Sequence, residues 1–554
     1  MSIKKLHAVR IYTMVLCTGI LTCQLYLTFK PFCCNFIEQI FNHILSRQII
    51  PVIMKKLNFI LDFVHLIFIL MISCAMIQCS GKSETWPQFR GPDGSGVADK
   101  DARPPVEFGD QNLEWGIDIR PGVSSPVVWD NKMFITGYSE ETKEIQVVCL
   151  NRKNGKVIWE RSVKPDSIEK YQQGVSSPAQ STPVTDGERV VLYSGSCGLV
   201  CYDMNGNLLW KHPMACNRGY YGNATSPVLS DNKVFLIDDI RKNRGLFAFD
   251  KADGKLLWKT PFKPSNLPNN GGDATPVIYQ DLAIVHRVGE IAAYSLSDGS
   301  PKWNYRTLTE AASTPIVADN KIITACWYNS SEENQRAKLS DFKELIQKYD
   351  SNKNNRFGKD ECPADMKLFY RPEIEDMAGS VNYLKDLFWA FDKNKDNEID
   401  EKEWIDAQEF IRQEFYKESG LIAIDPDSKG QVADTGILWQ VAKNAPEVPS
   451  PIYYQDRVYM IKDGGILTCT NPETGEVIYN VRIGNPGSYL SSPVAANGLL
   501  YFFGYSGRLT IVKAGDTFKA IGRYDFKDNI AATPAIIGKS IYIRTKTKLL
   551  AYTN

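Results

Sequence analysis

An all-β, eight-bladed β-propeller carrying a small α-helical insertion is the fold class this sequence predicts. Three observations predict it. A Ser/Thr-Pro step recurs eight times, each step opens a unit of short apolar runs, and the last unit lacks a fourth run that the chain supplies near its other end.

The steps are Ser125-Pro126, Thr182-Pro183, Ser226-Pro227, Thr275-Pro276, Thr314-Pro315, Ser450-Pro451, Ser492-Pro493 and Thr533-Pro534. Pro-to-Pro spacings run 57, 44, 49, 39, 136, 42 and 41, so one unit of about 40 residues repeats and one copy holds an insertion of about 90. In the third unit, Val234–Ile237 and Gly245–Asp250 read as strands, and a Gly turn leads to a fourth strand ending at Trp258. Four short strands joined by hairpin turns make a propeller blade. The terminal ring recurs as Trp159, Trp210, Trp258, Trp303 and Trp439, with Tyr479 and Tyr524 in the matching place. A large ring at a fixed blade position is read as packing between blades. The eighth unit ends at Asn554 after three strands, and Leu113–Ile117 with Trp115 looks like its missing fourth. Pairing the two closes the ring and removes exposed sheet edges.

Net charge is zero, from 64 Lys+Arg and 64 Asp+Glu. That excludes a broadly basic nucleic-acid binder and an acidic disordered chain. Only 5 His argue against a His-rich zinc enzyme. Of 13 Cys, six precede residue 80 and the remaining seven are scattered, which is no disulfide framework. Cys197 and Cys201 are close in sequence, and a bridge or two free thiols both fit.

Residues 1–80 read as a targeting region. Met54-Lys55-Lys56, an apolar run over Phe63–Ser73 and then Cys74 follow the layout of a bacterial secretory signal. Ser73-Cys74 resembles a lipoprotein processing site, with Cys79 as a second candidate for lipidation and a plain membrane anchor as the alternative. Met54 is an alternative start. If Met1 is the start, Ala8–Phe29 is long enough to span a bilayer. The organisation expected is targeting over 1–80, a lead-in over 81–112, blades over 113–327, the insertion over 328–419 and blades over 420–554.

Inside the insertion, Leu339, Phe342, Leu345, Ile346 and Tyr349 recur at helical spacing. Two twelve-residue segments then match the EF-hand calcium loop. The first offers Asp350, Asn352, Asn354, Arg356 (through its carbonyl) and Glu361. The second offers Asp392, Asn394, Asp396, Glu398 (through its carbonyl), Asp400 and Glu403. The spacing suits the chemistry: a tight loop turns successive oxygens toward one hard cation, and Glu at position 12 adds two more. Position 6, normally Gly, is Asn355 and Asn397. Asn tolerates the left-handed conformation that this position needs. Loop two has four carboxylates to loop one's two, so it is expected to bind Ca2+ more tightly. A loop pair that keeps its shape without metal is the alternative.

The units resemble the pyrroloquinoline-quinone-type propeller repeat, as in Leu421-Ile422-Ala423-Ile424-Asp425 followed by Leu438-Trp439. Trp86-Pro87-Gln88-Phe89-Arg90-Gly91-Pro92 resembles the lead-in of exported bacterial members of that group. WD and kelch patterns fit worse: Trp129-Asp130 is the one Trp-Asp pair, and Gly-Gly occurs only at 271–272 and 464–465. The resemblance implies either of two functions. One is a non-catalytic scaffold similar to the propeller lipoprotein of outer-membrane protein assembly. Such a protein binds protein partners through the propeller faces and the membrane through a lipid anchor, in the periplasm or at the outer membrane of the cell envelope. The other is a quinoprotein dehydrogenase holding pyrroloquinoline quinone and Ca2+ in the ring. Such enzymes usually carry an adjacent Cys-Cys pair, and Cys33-Cys34 lies outside the propeller. Their Glu/Asn/Asp metal set cannot be assembled from any one stretch. Polar groups at 217–221, 269–273 and His286-Arg287 are read as surface loops. The scaffold is therefore the expectation, and no catalytic or quinone-binding residue is assigned.

Overall fold

The computed structural model describes residues 84–554 except 174, 217–218, 220, 240–243, 266, 268–271, 375–379, 413–417 and 434–435. The chain divides into Met1–Ser83 and Glu84–Asn554. The targeting region, with Cys74 and Cys79, thus lies outside the described residues, as do Asn217, Arg218, Asn269 and Asn270.

Eight antiparallel blades follow the eight Ser/Thr-Pro steps. The first blade runs Val127–Trp129, Lys132–Ser139, Glu144–Asn151 and Val157–Val163. Each later blade repeats that order, and the insertion separates the second and third strands of blade five, Lys321–Cys326 and Gly420–Ile424. Leu113–Asp118 pairs antiparallel with Lys548–Thr553, with Trp115 opposite Ala551, so both ends of the propeller share blade eight. The core lies between blades, where inward faces such as Val191, Leu236 and Phe249 pack together with almost no exposure. The outer strand of blade four gains a parallel neighbour, Gly430–Gln431.

The recurring rings do pack blades together. Trp115, Trp159, Trp210 and Trp439 each donate the indole N–H to a backbone carbonyl of the next blade, Arg152, Met204, Lys251 and Pro472, at 2.8–3.0 Å. A left-handed Gly in that blade's last turn lies under each ring, as Gly254 does beneath Trp210. A side chain there would collide with the indole, which explains why Gly and Trp recur as a pair.

The lead-in crosses the ring axis on the face formed by the turns between first and second strands. Thr85–Trp86 pairs with the innermost strand of blade one. Pro87 O accepts from Thr185 N at 2.9 Å in blade two, Val97 bridges Ala495 of blade seven, and Arg103 N donates to Gly538 O of blade eight. Arg90, fully buried, donates through Nη2 to Pro451 O at 2.6 Å in blade six. The segment thus spans that face of the ring, with a cavity of about 200 Å³ between it and blades three and four.

The insertion contains three α-helices among the described residues: α1 (Phe342–Tyr349), α2 (Leu384–Phe391) and α3 (Glu401–Arg412). Asp341 caps α1 by accepting from Glu344 N at 2.7 Å. The apolar face of α1 packs with Phe357, Phe388, Ile399 and Trp404 in a core of the insertion's own. Between the first loop and α2 lies a hairpin, Lys367–Tyr370 with Val381–Tyr383, in place of a helix. Pro363 stands two residues after Glu361, the loop's last position, and the residue before Pro, Cys362, is steered away from helical geometry.

Candidate functional site

The two predicted loops share one hydrogen-bond scheme. In loop one, Asp350 accepts from Asn354 N and Asn355 N at 3.2 and 2.9 Å, and Glu361 reaches back to Ser351 N and Gly358 N at 2.8 and 2.9 Å. In loop two, Asp392 accepts from Asp396 N and Asn397 N at 3.1 and 2.9 Å, and Glu403 reaches Lys393 N and Asp400 N at 2.8 and 3.1 Å. Asn355 and Asn397 have φ of 58° and 66°. Asn thus supplies the left-handed turn for which the pattern normally uses Gly. Phe357–Gly358 pairs antiparallel with Glu398–Ile399, so the loops lie back to back.

Each loop gathers its own candidate ligands. Asn352 and Asn354 join Asp350 and Glu361, while Asn394, Asp396 and Asp400 join Asp392 and Glu403. Asp392 and Glu403 are both buried. Among the described residues neither forms an ion pair with Lys or Arg, a donor set suited to a hard cation. Burial opposes ionisation of Glu361, yet the amides of Gly358, Ser351 and Asn352 and the Ser351 hydroxyl hold it below its ordinary value. Among the described residues no cluster of three or more His, Cys, Asp or Glu side chains is arranged as a metal centre.

A buried ionic network ties the insertion to blade six. Lys462 Nζ lies 2.8 Å from Glu332 and 3.2 Å from Glu373. Arg371 pairs with Asp463 and Glu447, each at 2.7 Å, and stacks over Trp327. The insertion and the loops linking successive blades share one face of the ring, opposite the lead-in.

That same face holds a polar group that no local pattern announced. Glu169, Asn223 and Asp273 come from three successive blade-linking loops. Glu169 is 2% exposed, and among the described residues its Oε2 meets no hydrogen-bond partner. Burial pushes its carboxyl up to about 8, only partly offset by the Ser196 and Ser194 hydroxyls. Asn223 Nδ2 donates to Tyr193 Oη at 2.9 Å, and Asp273 accepts from Ala224 N at 3.0 Å. Desolvation and neighbouring Asp239 push Asp273 up to about 6, against the Ala224 amide. Residues 169–173 line a cavity of about 570 Å³. Sequence reasoning missed Glu169 and Asn223, because they are ordinary polar loop residues until ring closure gathers them.

The surface reading of His286-Arg287 is corrected. His286 is fully buried, with Nδ1 2.7 Å from Ser313 O and Nε2 2.8 Å from Thr309 Oγ1. The carbonyl can only accept, so Nδ1 carries the proton and Nε2 accepts from the hydroxyl. Desolvation lowers this ring's pKa to about 4. Arg287 is also buried, against Asp239 and Glu290. Cys197 and Cys201 are both free thiols.

A family model described as outer membrane protein assembly factor BamB matches residues 143–338 and 408–553. The chain belongs to this family. Among curated proteins none matches the chain. Of solved structures, BamB from Moraxella catarrhalis is 13% identical, with 80% of this chain and 99% of that chain covered and a TM-score of 0.48. A europium-containing methanol dehydrogenase is 9% identical, with 85% and 98% covered and a TM-score of 0.51. Quinohemoprotein alcohol dehydrogenase from Comamonas testosteroni is 12% identical, with 85% and 80% covered and a TM-score of 0.47. At these identities the likeness to the methanol dehydrogenase speaks for the propeller fold alone. The BamB-family match leaves out 339–407. Both loops lie in that gap, so they are an addition of this chain to the family's ring. Among the described residues no helix is long and apolar enough to cross a membrane.

Proposed function

We propose that the protein is an exported, lipid-anchored propeller of the bacterial cell envelope that binds protein partners through its ring faces and carries a calcium-binding EF-hand pair. Family membership supports the ring's role. The duplicated loop scheme carries the calcium reading. Asp350, Asn352, Asn354, Glu361 and the Arg356 carbonyl would hold one ion. Asp392, Asn394, Asp396, Asp400, Glu403 and the Glu398 carbonyl would hold the other. Bound Ca2+ would supply positive charge that relieves carboxylate repulsion, locking the loops rather than doing chemistry. Calorimetric titration of the full chain with Ca2+ tests this: heat and stabilisation in the millimolar range are expected, the range of extracellular modules. Silence at about 10 mM reduces the insertion to a helical spacer. Mass spectrometry of the mature protein should find acyl chains on Cys74 or Cys79, and an intact Met1 rejects the anchor.

A second reading, a quinoprotein dehydrogenase, is favoured by Glu169, Asn223 and Asp273, which match in type the metal set that the repeat's resemblance implies. Among the described residues Glu169 Oε2 meets no hydrogen-bond donor, which leaves it open to a cation. Against it, none of the described cysteines are adjacent. Pyrroloquinoline quinone, if bound, supplies the redox chemistry, and these three residues would hold its metal. A visible absorption spectrum after incubation with quinone and Ca2+ separates the readings: a bound-quinone band supports the enzyme, and its absence supports the scaffold.

A further inference from the structure

We propose that Arg356 is a built-in counter-cation of the second loop, competing with the divalent ion for Asp396 and linking the two loops. This rests on the calcium reading above. Arg356 occupies position 7 of loop one, where its carbonyl belongs to that loop's ligand set. Its side chain does not stay there. Nη1 lies 2.7 Å from Asp396 Oδ2 and 3.5 Å from Glu398 Oε2, both in loop two. Asn354 of loop one reaches the same way, its Nδ2 donating to Glu398 Oε1 at 2.6 Å.

Asp396 is the position 5 ligand, and both of its oxygens are engaged. Oδ1 accepts from Glu398 N at 2.9 Å. Oδ2 accepts from Asn394 Nδ2 at 3.0 Å and from Arg356. An incoming cation therefore meets a guanidinium already on one of its ligands. Counting carboxylates along the sequence gives loop two a clear advantage over loop one, but that count omits Arg356, whose charge arrives from the neighbouring loop.

The pair is half-exposed, with side chains 42% and 36% accessible. Exposed ion pairs add little to folding stability, so stability does not explain this one. Its effect on a doubly charged ion a few ångströms away is larger, because the interaction scales with the product of charges. In water-like dielectric and ordinary salt, removing the guanidinium should tighten loop two about three- to tenfold.

The test is calorimetric titration of the full chain with Ca2+, comparing wild type, Arg356→Gln, Arg356→Lys and Glu403→Gln. The binding event missing from Glu403→Gln identifies loop two. Arg356→Gln should tighten that event about three- to tenfold, the gain shrinking in about 0.5 M salt, while Arg356→Lys stays close to wild type. Calcium binding in wild type that Arg356→Gln leaves unchanged or weakens overturns this proposal and leaves the calcium reading standing. No calcium heat in any of the four proteins overturns both. Thermal melts without ion check that Arg356→Gln is folded.

Discussion

Thr533 donates its backbone N–H to the Ser125 hydroxyl at 3.1 Å, joining the last blade to the first. The same bond recurs around the ring: the N–H of Ser125 goes to Thr182, Thr182 to Ser226, Ser226 to Thr275, Thr275 to Thr314, Thr314 to Ser450, Ser450 to Ser492 and Ser492 to Thr533, at 3.0–3.2 Å. Each Ser/Thr-Pro step is thus donor to one neighbour and acceptor from the other. The hydroxyl satisfies an amide buried at the start of each innermost strand, which gives a physical reason for Ser or Thr at that position.

Ser125→Ala leaves the buried Thr533 amide without its acceptor and should cost about 1–3 kcal/mol. Ser125→Thr should be nearly neutral, because Thr fills the equivalent place in four blades. Urea unfolding midpoints measure both, and equal midpoints for all three proteins remove the hydrogen-bond ring as a stabilising feature.

Gly254→Ala should destabilise by at least about 2 kcal/mol, combining left-handed strain with overpacking. Gly254 has φ +73° and its added methyl would sit 2.4 Å from the Trp210 ring. Gly430→Ala is the control: φ is +62° with no described atom within 4 Å, leaving only the backbone strain. Similar losses from the two substitutions would show that the indole contact contributes nothing.

Lys462→Met leaves Glu332 buried without its cation and weakens Glu373. Breaking one side of a buried pair costs about 3–5 kcal/mol. Adding Glu332→Gln should recover part of that loss. Hydrogen exchange should place the change in the insertion and blade six, and a uniform change across all blades contradicts this docking role.

Glu169 should make stability fall as pH rises. Its carboxyl is raised from 4.5 to about 8 in the folded protein. Between those values the folded chain holds a proton that the unfolded chain has released, so stability is greatest below about 4.5 and is lost toward about 8. His286 acts oppositely at the acid end, because its pKa is lowered from 6.5 to about 4 and stability rises with pH across that window. The difference between wild type and Glu169→Gln isolates the first effect. A flat difference between pH 5 and pH 8, bounds chosen to span most of the shift, rejects a buried, protonated Glu169.

The ring can be read from the amino-acid order alone. Its signals are local and periodic: the Ser/Thr-Pro step, the Gly turn before Trp, and the unpaired Trp115 strand matching the unit that ends one strand short. The two twelve-residue loops are legible for the same reason, since each carries its candidate ligands in one stretch. Closure of the ring, and the fold of the insertion onto it, decided the rest. Glu169, Asn223 and Asp273 meet only because three blade-linking loops share one face. His286 reads as a polar loop residue until blade packing encloses it. Arg356 belongs to loop one by sequence and reaches the carboxylates of loop two through the Phe357–Ile399 pairing. Periodicity records what each unit repeats, whereas burial and charge at these positions depend on residues distant in the chain, so they appear only in the folded protein.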